Sequence, residues 1–142
     1  MGKTLIAPYI FFKGNAREAM EFYKGIFGGE LSIQTMGEVP EEVRQQAGNP
    51  DKANVMHAKL ETGDIILYAS DSAKASDKAA KISLSIMGDD EAKLRQIFDN
   101  LSQGGSVFMP LSKQFWGDTF GSLTDMYGVE WMVNISSGET PN

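Results

Sequence analysis

Residues 114–135, QFWGDTFGSLTDMYGVEWMVNI, decide the fold of this chain. The stretch contains both tryptophans, Trp116 and Trp131, and its pattern predicts two strands joined by a tight turn. We place that turn at residues 125–128, DMYG, because Asp and Gly are typical turn formers. An earlier stretch, residues 63–70, looks like a second copy of the last strand. The copy indicates a chain built from two related halves.

Each half has the same predicted order: a strand, a helix, a Gly-Gly pair and three further strands. An offset of 76 residues pairs Phe22, Gly28 and Gly29 with Phe98, Gly104 and Gly105. Over the last hairpin, alignment of Gly63 with Gly128 gives an offset of 65. The second offset is smaller by 11 residues, which fits an extra segment in the first half at residues 37–52. We interpret this segment as a solvated surface insertion or as a flap over a site.

Composition excludes several classes of protein. The 142 residues fit one domain, with module 1 at about residues 4–71 and module 2 at about 79–136. Cysteine is absent, so disulfides and thiolate metal sites are excluded, and we expect a cytoplasmic protein. A net charge of −6 without a basic run predicts no nucleic-acid partner. No apolar run approaches the roughly 20 residues of a membrane helix, so no membrane partner is expected.

Three segments carry a family resemblance: GNAREAMEFYKGIFGGE at 14–30, MHAKL at 56–60, and residues 114–135. They resemble the glyoxalase/bleomycin-resistance/extradiol-dioxygenase (vicinal oxygen chelate) superfamily, in particular its PhnB-like, 3-demethylubiquinone methyltransferase-like branch. The resemblance implies an α+β fold of two tandem βαβββ modules, whose mixed sheets form a concave cleft for a small molecule, and a homodimer. We do not expect methyl transfer, because the sequence lacks a Gly-rich strand-to-helix turn suited to a nucleotide-like methyl donor.

Enzymes of this family hold a divalent metal through His, Gln or Glu side chains on the first and last strands of each module. In this sequence we place the four corresponding positions at or near Pro8, Leu67, Leu84 and Met132. Proline, leucine and methionine do not provide the imidazole nitrogen or carboxylate oxygen that such a dication needs. We therefore predict no metal and no cofactor, although a divalent metal is the family expectation.

The only histidine, His57, is the candidate catalytic residue. It is either an acid/base or hydrogen-bond donor in a cavity, or a half-exposed strand histidine bonded to a neighbour. The predicted ligand-binding residues are Tyr68, Asp71, Phe115, Trp116, Asp118, Met132 and Asn134. Two of these have a structural alternative, since Asp71 can cap a turn and Trp116 can pack at a sheet edge.

Three functions remain open at this point. The first is a metal-free protein that binds an unknown small molecule in an apolar cleft. The second is a glyoxalase-like lyase, isomerase or dioxygenase with atypical metal ligands, using His57 and its neighbours. The third is an interaction scaffold whose cleft is filled by its own side chains.

Overall fold

The computed structural model describes residues 6–46, 48–72 and 82–137. The chain divides into two compact units, residues 1–77 and 78–142, which we call module 1 and module 2. Each contains a four-stranded mixed sheet with a 12-residue helix packed on one face. The predicted α+β fold of two repeated modules is thus confirmed. Within the described residues, no helix is long and apolar enough to cross a membrane.

Module 1 orders its strands β1-β4-β3-β2, with β1 parallel to β4 and the other pairs antiparallel. Its elements are β1 (Tyr9–Phe12), α1 (Ala16–Phe27), β2 (Glu30–Thr35), α2 (Glu41–Gln46), β3 (Val55–Glu61) and β4 (Ile66–Asp71). The helix α1 buries a stripe of Ala16, Ala19, Met20 and Tyr23. The strands contribute Ala58, Leu60, Leu67 and Ala69 to the same core. Alternation along the strands sends the intervening side chains to the other face of the sheet.

Module 2 repeats this arrangement with the order β5-β8-β7-β6. Its elements are β5 (Leu84–Gly88), α3 (Glu91–Ser102), β6 (Ser106–Lys113), β7 (Thr119–Thr124) and β8 (Glu130–Ile135). The core combines the helix residues Leu94, Ile97, Phe98 and Leu101 with the strand residues Leu123, Trp131, Val133 and Ile135. Trp131 is therefore a core residue, as the alternation of β8 predicts.

The two Gly-Gly pairs have the same structural role. A Cβ atom on Gly29 would overlap the backbone of Glu61, and one on Gly105 would overlap the backbone of Thr124. In each module the chain leaving the helix therefore passes directly against the strand end at the later hairpin turn. Only glycine permits that approach, which explains why these pairs register between the two halves.

The two hairpin turns differ in length by one residue. Thr62 N donates to Ile65 O at 2.9 Å, whereas Asp125 N donates to Val129 O, also at 2.9 Å. The second turn therefore holds one more residue, and Tyr68 corresponds to Met132 at an offset of 64. The offset of 65 obtained by aligning the glycines is wrong by one, and an error of one residue exchanges the two faces of a strand.

The extra segment of module 1 is a closed surface excursion. Met36 N donates to Asn54 O at 2.8 Å and Gly37 N donates to Lys52 O at 2.9 Å, so its two ends are joined by backbone hydrogen bonds. Inside it, Arg44 Nη1 donates to the carbonyl oxygen of Pro50 at 3.0 Å. The short helix α2 buries none of its residues. The sequence predicts an insertion at residues 37–52, and these bonds join the two ends of that segment at the surface.

Candidate functional site

The candidate site is the sheet face of module 1 that lies opposite α1. The register pairs Tyr9 with Tyr68 and Lys59 with Tyr68, while the neighbouring pair Ala58 and Ala69 is buried on the helix side. Aromatic side chains consequently collect on the face away from the helix. We call the group of Tyr9, Phe11, His57 and Tyr68 the aromatic platform.

The rings of the aromatic platform contact one another. Tyr9 stacks on Tyr68 with ring centroids 5.9 Å apart and an interplanar angle of 12°. The ring of His57 lies 5.5 Å from that of Tyr68 and 6.0 Å from that of Tyr9. Tyr9 Oη lies 3.3 Å from His57 Nδ1, a hydrogen-bonding distance. Phe11 extends the group, with its centroid 5.2 Å from that of Tyr9. The single histidine thus lies beside both tyrosines.

A cation borders the aromatic platform. Lys59 Nζ lies 3.2 Å from Glu61 Oε1. The hydrogen bond to Glu61 raises the pKa of Lys59 above its ordinary value, and the charge of Glu61 and the Tyr68 phenol act in the same direction. The ammonium group therefore stays charged across the physiological range of pH. Beside the stacked rings, this face offers a positive charge, a phenol and an imidazole.

In module 2, the sheet face opposite α3 carries two of the other predicted site residues, Met132 and Asn134. Met132 pairs with Ser85 and Ser122, away from the buried Trp131. Asn134 Nδ2 donates to Asp118 Oδ2 at 3.0 Å, so two predicted residues are joined directly. The carboxylate of Asp118 also accepts the backbone N–H of Ser137, which fixes its orientation.

Phe115 and Trp116 lie in the turn before β7 and contact each other edge to face at 4.9 Å. Trp116 also lies 6.5 Å from Phe120, whose register partner is Asn134. Phe115 is 97% exposed and Trp116 is 48% exposed. The structure therefore brings Trp116, through Phe120, next to the Asp118–Asn134 pair, while Phe115 is presented outward.

Asp71 has a structural role. Its Oδ1 accepts the backbone N–H groups of Gly14 and Ala16 at 2.9 Å each, and its Oδ2 accepts that of Val55 at 2.8 Å. The side chain is buried and ties the start of α1 to the start of β3. Because both oxygens already accept backbone donors, the capping interpretation describes Asp71 better than the ligand-binding one.

The predicted metal-ligand positions need a correction. Leu67 is 3% exposed in the core under α1, and Leu84 pairs with Trp131 on the helix side of module 2. Pro8 alternates with Tyr9 and therefore also points to the helix side. Of the four positions, only Met132 lies on the expected face. The one-residue difference between the turns, together with strand alternation, accounts for the error in β4.

The side chains on the outer faces of these first and last strands do not fit a divalent metal. Tyr9, Tyr68, Ser85 and Met132 offer phenols, a hydroxyl and a thioether. A hard or borderline dication requires carboxylate or imidazole ligands. Within the described parts of the chain, no group of three or more His, Cys, Asp or Glu side chains is arranged to hold a metal ion.

Sequence reasoning missed Tyr9 and Phe11. The signal for them was present, because residues 9 and 11 alternate with the apolar residues 10 and 12 in the first predicted strand. In a βαβββ module, the first and last strands are neighbours in the sheet. A search for aromatic residues on that strand pair would have placed Tyr9 beside Tyr68.

Comparison with known proteins agrees with this architecture. The family model for 3-demethylubiquinone-9 3-methyltransferase matches residues 4–134. Protein YjdN of Escherichia coli (strain K12) is 33% identical over 141 residues, which covers 92% of this chain and 94% of that protein. The crystal structure of protein PA1353 from Pseudomonas aeruginosa aligns with a TM-score of 0.81 and 38% identity, covering 94% of this chain and 98% of that one.

The PhnB protein of Bacillus cereus aligns with a TM-score of 0.75 and 27% identity, over 94% of this chain and all (100%) of that one. A glyoxalase/bleomycin resistance protein/dioxygenase family enzyme from Burkholderia phytofirmans shares the fold alone, with a TM-score of 0.59 at 14% identity over 89% and 94% of the two chains. The chain belongs to the PhnB-like 3-demethylubiquinone-9 3-methyltransferase family, and its fold is that of the glyoxalase/bleomycin resistance/dioxygenase proteins.

Proposed function

We propose that this PhnB-like protein binds a small planar molecule on the aromatic platform of module 1, without a metal ion. The observation that carries the proposal is the stacked pair of Tyr9 and Tyr68 with His57 beside both rings. Stacked rings accept a further flat ring at little conformational cost. Each aromatic contact of this kind contributes about 0.5–1.5 kcal/mol beyond the area it buries.

The exposure of the aromatic platform supports a ligand role. Tyr9 is 43% exposed and Phe11 is 54% exposed, although both are large and largely apolar. The phenol of Tyr9 and the imidazole of His57 add hydrogen-bonding groups within the apolar surface. A few polar groups set among aromatic side chains are typical of small-molecule sites. The ammonium group of Lys59 is paired with Glu61, so an acidic group on the ligand would compete with that carboxylate for it.

Module 2 carries a separate set of candidate ligand contacts on its own sheet. The set combines three kinds of group on or beside one sheet face: the aromatic ring of Trp116, the flexible thioether of Met132 and the amide of Asn134. Asp118 has a positioning role there, because it holds the Asn134 amide. Phe115 supports Trp116 through their edge-to-face contact.

An enzymatic alternative is favoured by one specific contact. Tyr9 Oη and His57 Nδ1 are 3.3 Å apart, which is close to the geometry of a proton-transfer pair. A lyase or isomerase of this superfamily could then use His57 as its base, with Tyr9 as its partner. Replacement of His57 by Gln would abolish turnover in that case, while ligand affinity would fall only modestly.

We further propose a homodimer, supported by exposed apolar side chains in the second module. Phe108 is 83% exposed and Phe115 is 97% exposed. Burial of two such aromatic residues on association would offset part of the entropy lost on dimerisation. Sedimentation equilibrium of Phe108→Ser against the natural chain measures this: a monomer–dimer equilibrium should shift towards monomer.

A screen of planar aromatic compounds, with and without an acidic group, tests the binding proposal. Hits are measured by calorimetry on the natural chain and on Tyr68→Leu. The variant should weaken binding about fivefold, because it removes one stacking contact of the order of 1 kcal/mol. The matched control is Phe22→Leu, which changes an aromatic side chain on α1, on the other side of the sheet. Equal affinity of Tyr68→Leu and the natural chain for every hit would refute the proposal.

A further inference from the structure

A groove lies on the helix side of module 2, between α3 and β6. It encloses about 450 Å³, within the range of small-molecule sites. Its apolar lining comes from Phe98 on the helix and from Val107, Pro110 and Leu111 on the strand, and Arg95 and Asp99 supply charge. The sheet of module 2 therefore has a concave surface on the face opposite Met132 and Asn134.

The groove follows from irregularities in β6. The register with β7 shifts twice, between Val107 and Met109 and again between Met109 and Ser112. Pro110, inside the second shift, has no N–H to donate. Bulges of this kind bend an edge strand and redirect its side chains, and they are enriched next to functional sites. The bent strand leaves space between itself and α3.

Gly121, on the neighbouring strand β7, also permits this distortion of β6. A Cβ atom at this position would lie 2.9 Å from Met109 O and 3.0 Å from Leu111 N. It would also lie 3.0 Å from Cε2 of Phe98, the residue that lines the apolar part of the groove. The bulged strand β6 and the Phe98 ring thus both pack against Gly121. Any larger residue there would displace one of them.

The charges beside the groove form one row along α3, at Glu91, Arg95 and Asp99. Arg95 Nε donates to Glu91 Oε2 at 2.8 Å, and among the described residues no hydrogen bond from the terminal nitrogens of the guanidinium is found. The structure of the described residues shows no hydrogen bond or ion pair to the Asp99 carboxylate. One turn of helix, about 5–6 Å between Cβ atoms, separates Arg95 from Asp99. The groove therefore presents an available positive group and an available negative group side by side.

We propose that this groove binds a small zwitterion with an apolar side chain, the chemistry of a free apolar α-amino acid. The ligand ammonium pairs with Asp99, and the ligand carboxylate pairs with the terminal nitrogens of Arg95. The apolar side chain covers Val107 and Leu111, above the buried Phe98. This site is independent of the aromatic platform, because it uses the helix side of the other module.

Titration of the intact, isotope-labelled chain with three related compounds tests the charge pattern. L-leucine is the zwitterion, leucine amide carries only the positive charge, and N-acetyl-leucine carries only the negative charge. Leucine should give saturable shifts of α3 and β6 amide signals. Leucine amide and N-acetyl-leucine should bind at least about tenfold more weakly, because each lacks one charged partner.

Two variants test the assigned residues. Asp99→Asn and Arg95→Gln should each weaken leucine binding about tenfold or more, whereas the matched surface changes Asp64→Asn and Arg17→Gln in module 1 should not. The proposal is overturned if leucine produces no saturable shifts. It is also overturned if leucine amide or N-acetyl-leucine binds as tightly as leucine, or if Asp99→Asn leaves leucine affinity unchanged.

Discussion

Replacement of Asp71 by alanine gives the sharpest test of the structural assignments. The carboxylate accepts three backbone N–H groups, from Gly14, Ala16 and Val55, and the bonds from Ala16 and Val55 are buried. Each buried donor left without an acceptor costs about 1–3 kcal/mol. Because water can reach the part-buried Gly14 donor, we expect a loss of about 3–5 kcal/mol in the free energy of unfolding. That is a large part of the 5–15 kcal/mol typical of a domain.

Asp71→Asn refines this prediction. The amide can keep its oxygen towards Gly14 and Ala16, which places its NH2 group against the Val55 N–H. One donor then loses its acceptor instead of three, so we expect a smaller loss of about 1–3 kcal/mol. Hydrogen exchange should accelerate most at Val55 in this variant.

Urea denaturation of the variants gives both free energies, and Asp64→Ala on an exposed turn serves as the control. The capping role predicts a stability order of Asp64→Ala, then Asp71→Asn, then Asp71→Ala. The reasoning would be refuted if the free energy of unfolding of Asp71→Ala lay within about 0.5 kcal/mol of that of the natural chain while ligand affinity was lost. Asp71 would then be a ligand contact.

Other substitutions test separate parts of the structure. Gly121→Ala should destabilise the protein by about 1–3 kcal/mol in urea denaturation, because its methyl group meets backbone atoms and the Phe98 ring. Gly25→Ala, in α1 with no atom within 4 Å of its Cβ position, should instead stabilise by about 0.5–1 kcal/mol. The hydrogen bond from Arg44 holds the pKa of Glu41 below its ordinary value of 4.5, so this ion pair supports α2 above that pH and is lost as acid protonates Glu41. Arg44→Gln should raise the pKa of Glu41 towards 4.5, as followed by carboxyl-carbon NMR; no change would contradict the assigned pairing.

The fold was predictable because several local signals agreed. The Gly-Gly pairs, the helical stripe before each and the alternation in the last strand all describe one βαβββ unit, twice. The Gly-Gly pairs are needed because Gly29 and Gly105 each lie in close contact with the end of a strand. This contact is tertiary, but the glycine pair that permits it is visible in the local sequence. The alternation along β8 is also a local pattern, and it puts Trp131 on the buried face of its strand.

The site was less predictable, because face assignment depends on register. One additional residue in the turn before β8 shifts the correspondence between the halves, and Leu67 consequently fell on the wrong face. Tyr9 was missed because its neighbour Tyr68 is 59 positions away, on a strand that pairs in parallel. The three bonds to Asp71 likewise come from residues distant in sequence, which no local pattern reveals.

The central claim is that the aromatic platform around His57 binds a planar small molecule. His57 is the only histidine, so its imidazole gives a single set of NMR signals that needs no assignment by mutagenesis. Those signals are followed while hits from the planar-compound screen are added to the intact protein. We predict saturable shifts of the His57 ring signals, with a midpoint that moves about fivefold higher in Tyr68→Leu and stays unchanged in Phe22→Leu. Hits that bind while leaving the His57 signals unmoved would contradict the account.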